Sequence, residues 1–124
     1  MLRFMMLTIA TGAIFSSATT ALAADATKGK AVFQTQCAMC HQIKPKALGI
    51  GPSLAGVVGR KAGTLPGFAY SPAMKKFAKP WTPALLDSYA AAPMKAIPGN
   101  RMPFAGLADA AKRADLVAYL ATLK

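Results

Sequence analysis

The chain is predicted to be all-α. Helix-start signals recur along it, and its last segment carries apolar residues at helical spacing. No stretch alternates apolar and polar residues for long enough to make a strand. Between the helical stretches lies a long region rich in glycine and proline, which predicts loops with a task such as wrapping a ligand.

The first 23 residues read as an export leader and not as part of the fold. Arg3 is the only charge before Asp25, an apolar stretch runs from Phe4 to Ile14, and Ala21-Leu22-Ala23 matches the small-x-small cleavage pattern. The uncharged stretch is nearly long enough to span a bilayer, but its serines and threonines dilute it. Cleavage after Ala23 would leave one domain over residues 24–124, with no second hydrophobic span. A chain of that size builds only a marginal core by itself.

Asp25 or Thr27 caps the first helix, which runs through Val32 and Phe33. Gly29 inside it costs stability relative to alanine, so a close neighbour is expected there. Residues 44–71 read as loop, with glycines at 49, 51, 56, 59, 63 and 67. Ser71-Pro72 starts a short helix through Phe77, with serine as the cap and proline in the first turn. Thr82-Pro83 repeats the device for a helix to about Ala92, which Pro93 stops. A second loop, Ile97-Pro98-Gly99-Asn100-Arg101-Met102-Pro103, precedes the last helix, expected from about Asp109 to Thr122. Leu116, Leu120 and Leu123 share one face of it.

The chain has one histidine and two cysteines, and all three fall in Cys37-Ala38-Met39-Cys40-His41. This is C-x-x-C-H, the attachment signature of a c-type haem. Each thiol adds across one vinyl group of the porphyrin, so the sulfurs must lie about one helical turn apart. The next residue then presents an imidazole to the iron. Other readings fare worse. A thioredoxin-like pair expects a strand before the motif, a structural zinc site needs a fourth ligand, and so tight a disulfide is usually catalytic. Covalent haem with His41 as ligand is the expectation.

The second axial position then decides the chemistry. No second histidine exists, which leaves lysine, tyrosine, methionine, water or nothing. Met1, Met5 and Met6 leave with the leader, Met39 lies inside the motif, and Met74 on the short helix reads as core. Met94 follows Pro93 at a helix end and reads as packing. Met102, in a helix-free loop between Gly99 and Pro103, is favoured. A thioether is soft and neutral and favours ferrous iron. With both axial sites filled, the chemistry left is outer-sphere electron transfer.

Together with the motif, several segments make the chain similar to the class I cytochromes c, more closely the mitochondrial type and its bacterial counterparts. These are Lys28-Gly29-Lys30 with Phe33, Gly51-Pro52-Ser53-Leu54, Gly59-Arg60-Lys61, Pro66-Gly67-Phe68-Ala69-Tyr70 and Trp81. The Met102 loop through Gly106 and the run from Arg113 to Leu120 complete the set. The resemblance covers essentially all of residues 24–124. It implies the small cytochrome c fold, with the N- and C-terminal helices crossing and loops wrapped around one covalent haem c. It also implies roles. Pro52 would accept a hydrogen bond from His41, Tyr70 and Trp81 would bind a haem propionate, and Arg60 would help neutralise it. By the same resemblance Tyr89 would point its hydroxyl at the Met102 sulfur, while Gly29 and Phe33 would meet Leu116 and Tyr119. Two positions depart from the family pattern: Met74 replaces a common asparagine, and Asn100 replaces a frequent threonine while still expected to reach a propionate.

Lysine and arginine outnumber the acids 15 to 4, for a net charge of +11. Such a surface steers toward acidic partners or anionic headgroups, with at most peripheral membrane contact. Export and the lack of a clustered basic helix argue against nucleic acid. The expected function is a monomeric, soluble periplasmic carrier of single electrons, not an enzyme. Expected partners are a quinol–cytochrome c reductase and a terminal oxidase or photosynthetic reaction centre. The basic residues lie largely away from the family's docking face, which motivates a second reading as the dedicated redox partner of a periplasmic dehydrogenase. A haem peroxidase or gas-binding protein is a weaker third, because no distal histidine or acid is available to split a peroxide bond.

Overall fold

The computed structural model describes residues 13, 14 and 23–124. Apart from Ala13, Ile14 and Ala23, the expected leader lies outside the described residues. Among the described residues five helices follow in order: α1 (Ala26–Gln36), α2 (Pro72–Phe77), α3 (Pro83–Ala91), α4 (Pro93–Ala96) and α5 (Ala110–Ala121). Among the described residues the β-structure amounts to two isolated bridges, Leu48 with Pro52 and Lys61 with Pro80.

Each longer helix begins on a side-chain oxygen that satisfies amides the helix leaves open. The Asp25 carboxylate accepts from the Thr27 and Lys28 amides, Ser71 from Met74, Thr82 from Leu85, and Asp109 from Lys112. Pro93 does end α3, but its fixed φ also starts one further turn, α4, which reading proline as a stop signal does not anticipate.

The core forms where α1 crosses α5. A Cβ on Gly29 would lie 1.9 Å from the Asp115 carbonyl oxygen and 2.8 Å from Tyr119 Cβ, so only glycine lets the backbones approach this closely. Phe33 packs on Tyr119 with ring centroids 5.6 Å apart. The Asp25 amide donates to the Asp115 carboxylate at 2.8 Å, tying the start of α1 to α5. From this crossing the core extends through Leu116 and Leu120 to Val57, Met74, Trp81, Leu86 and Ile97. The loops between α1 and α3 therefore share one interior with the terminal helices. Met74 is buried there, as its helical setting suggests.

Candidate functional site

The end of α1 presents the motif. Cys37 N–H closes on the Phe33 carbonyl at 2.8 Å, and the Cys40 and His41 amides both return to the Cys37 carbonyl, at 3.1 and 2.9 Å. One tight turn thus carries both cysteines, each of intermediate burial and without a disulfide between them. Burial, with the Cys40 charge adding to it, pushes the Cys37 thiol up to about 11. The sulfur is therefore held protonated and uncharged at neutral pH.

His41 Nδ1 lies 2.7 Å from the Pro52 carbonyl oxygen. A carbonyl only accepts, so Nδ1 carries the proton and Nε2 keeps its lone pair. Burial, helped by the positive charge of Arg60, outweighs the Pro52 bond and holds the imidazole below its ordinary range. A neutral ring with Nε2 available is the form that ligates a metal.

The loop behind the ring is built around two small residues. A Cβ on Gly51 would fall 2.4 Å from His41 Cε1, well inside van der Waals contact with the imidazole. Ser53 is fully buried, and its hydroxyl donates to the Lys44 carbonyl at 2.6 Å while accepting from the Ala55 amide at 3.2 Å. Arg60 closes the same loop from outside, donating to the Ser53 and Ala55 carbonyls at 2.8 and 3.2 Å. Those two bonds leave the guanidinium further N–H groups for a carboxylate. Gly51 and Ser53 set the Pro52 carbonyl as much as Pro52 itself does. Sequence reasoning gave neither a role, because single small residues in a loop make no periodic signal.

Backbone pairing carries this half of the site to the aromatic half. The Trp81 amide donates to the Arg60 carbonyl at 2.9 Å, and the Gly59 amide to the Trp81 carbonyl at 2.7 Å. Trp81 and Tyr89 pack with ring centroids 5.1 Å apart, and both line a cavity with Phe77, Leu85, Ser88, Ala96 and Ile97. Burial raises the Tyr89 hydroxyl to about 12. The Tyr70 hydroxyl accepts from the Leu65 amide at 3.2 Å, which leaves its own hydrogen available, and it lies near enough to Arg60 to act on that charge.

Met102 sits half-buried on the helix-free loop after α4. Its amide donates to the Asn100 side-chain oxygen at 2.8 Å. Two expectations need correction here. The Asn100 amide group already donates to the Pro93 and Ile97 carbonyls, at 2.9 and 2.8 Å, so it has no hydrogen left for a propionate. Met94 does not pack in the interior. It is 55% exposed, because α4 turns its side chain outward beside Asn100, with the sulfur 3.4 Å from the Asn100 nitrogen.

These groups fit a covalently held haem. Two cysteines lie one turn apart, a neutral imidazole has Nε2 free, and no side chain intrudes at Gly51. An apolar cavity lined by Trp81 and Tyr89 would offer contacts to a porphyrin face, and Arg60 and Tyr70 retain donors for carboxylates.

The family model described as Cytochrome c matches residues 26–124. The chain is 47% identical over 111 residues to cytochrome c2 of Rhodomicrobium vannielii, covering 89% of this chain and 88% of that protein. Cytochrome c2 of Rhodopila globiformis is 46% identical over 100 residues, covering 81% of this chain and 94% of its own. Among solved structures, cytochrome cH from Methylobacterium extorquens superposes with a TM-score of 0.73 at 42% identity. That match covers 79% of this chain and 98% of the other.

Proposed function

The chain belongs to the cytochrome c family, and on that premise we propose that it shuttles single electrons in the periplasm through a haem ligated by His41 and Met102. Members of this family are electron-transfer haem proteins and not enzymes, and here Cys37 and Cys40 hold the haem c. The haem iron supplies a one-electron Fe(III)/Fe(II) couple when bound.

The chain's own residues supply the rest. His41 offers Nε2 because Pro52 holds Nδ1–H at 2.7 Å, and this is the observation that carries the reading. A second-site hydrogen bond of this kind fixes ring orientation and raises ligand basicity. Met102 offers a neutral thioether, favouring the reduced metal. Arg60, Tyr70 and Trp81 bring positive charge and donors for the propionates, and Tyr89 would offer its hydroxyl to the Met102 sulfur. Neither a second histidine nor a glutamate exists in the chain to act on bound peroxide.

The donor is a quinol–cytochrome c reductase, and the acceptor is a terminal oxidase or photosynthetic reaction centre. With Arg3 lost in the leader, 14 basic residues against 4 acids leave a net charge of +10. That charge steers the protein toward acidic partners in general, although most of it lies away from the family's docking face. Reduction of the oxidised protein by membranes that oxidise quinol, followed spectroscopically at rising salt, tests this. Fast reduction that slows with salt is expected. Reduction only by a periplasmic dehydrogenase, with none by the membranes, would overturn the assignment in favour of a dedicated partner.

A further inference from the structure

The Met102 loop lacks regular structure, yet one buried side chain fastens it at three points. Asn100 is 6% exposed. Its amide nitrogen donates to the Pro93 carbonyl at 2.9 Å and the Ile97 carbonyl at 2.8 Å, and its oxygen accepts from the Met102 amide at 2.8 Å. Two carbonyls only accept and an amide only donates, so a single orientation of the side chain satisfies all three.

The backbone prepares this geometry. Ile97-Pro98-Gly99-Asn100 is a turn with proline second and glycine third. Gly99 has φ of +88°, and the Asn100 amide closes on the Ile97 carbonyl at 3.2 Å. That carbonyl therefore receives both the main chain and the side chain of Asn100. Pro93 begins α4, so the asparagine links the start of α4, the turn and the backbone of Met102. On the far side, the Leu107 amide holds the Ala90 carbonyl at 2.8 Å. Between these ties the ligand loop is short and closed.

We propose that Asn100 is the positioning residue for Met102, a latch of protein atoms alone that holds the thioether in its axial place against competing ligands. The inference rests on the reading of Met102 as the axial ligand. An external ligand binds only the fraction of molecules whose loop has swung away, so its apparent affinity scales with that fraction. Loosening the latch raises the fraction and leaves the intrinsic affinity of the open site alone.

Imidazole titrated into the oxidised holoprotein reads this out, with wild type, Asn100→Ala, Met102→Leu and the double variant side by side. Asn100→Ala is expected to tighten imidazole binding by about tenfold or more, the scale of losing a buried, fully used amide. In the Met102→Leu background the same change is expected to matter by less than about twofold, since no thioether competes. Asn100→Asp keeps the acceptor for the Met102 amide but sets an acceptor against two carbonyls. It serves if the alanine variant loses its haem, and should also tighten binding. Hydrogen exchange at the Met102 amide should quicken in either variant while that of Phe33 and Leu120 stays unchanged. If Met102→Leu tightens imidazole binding and neither Asn100 variant does, the latch is overturned and the ligand assignment stands. If Met102→Leu itself changes nothing, the axial reading falls and the latch with it. Equal acceleration of exchange throughout would mark Asn100 as merely structural.

Discussion

The Pro52 carbonyl and His41 Nδ1 stand 2.7 Å apart, and that one bond leaves Nε2 of the chain's single histidine with its lone pair free. The carbonyl is itself held by its neighbours. Ser53 ties the loop to Lys44, Arg60 clamps the Ser53 and Ala55 carbonyls, and Gly51 leaves room for the ring. Orientation of the ligand is thus a property of a loop, and loops of this kind position functional groups well when their polar atoms are all satisfied.

Gly51→Ala should therefore injure the site more than the fold. Its Cβ would occupy space 2.4 Å from His41 Cε1, so the ring must leave Pro52. The expected outcome is a lower ratio of covalent haem to protein in the purified product and weakened His41 ligation in the oxidised spectrum. A normal haem ratio with an unchanged spectrum would show that the ring position tolerates displacement.

Gly29→Ala should destabilise the whole domain. Alanine gains about 1 kcal/mol in helix propensity over glycine. Against this, the new Cβ would lie 1.9 Å from the Asp115 carbonyl, and backbone cannot yield as a side-chain tip can. Overpacking of this sort typically costs about 1–3 kcal/mol. A net loss is expected, read as a lower denaturant midpoint, and a midpoint equal to or above wild type would contradict the close crossing of α1 and α5.

Much of this was legible in the sequence because the chemistry demands it. C-x-x-C-H announces itself since thioether attachment calls for two thiols about a turn apart with an imidazole beside them. The caps at Ser71 and Thr82 announce themselves through the prolines that follow them. The illegible parts are those where one residue acts through contacts distant in sequence or without a period. Pro93 reads as a stop, so the extra turn of α4 and the outward placing of Met94 do not follow from it. Asn100 reads as one polar residue in a loop, and only the convergence of Pro93, Ile97 and Met102 on its side chain gives it a task. Ser53 is the same case beside His41.

Tyr89 ties stability to alkaline pH. Burial raises its hydroxyl from 10.0 to about 12, so the folded state holds the proton more tightly than the unfolded chain does. The stabilisation is complete below pH 10 and is lost as pH climbs from there toward 12. The denaturant midpoint of wild type, compared with that of Tyr89→Phe from neutral pH upward, should fall relative to the variant's in that window. Parallel curves throughout would show that Tyr89 does not titrate with unfolding.

Carbon monoxide added to the reduced protein, beside Met102→Leu, asks directly whether the sixth position is closed. The account predicts a wild-type spectrum untouched by the gas and a variant that binds it. Wild-type protein that takes up carbon monoxide as readily as Met102→Leu would contradict the carrier assignment and leave an open site for ligand or peroxide chemistry.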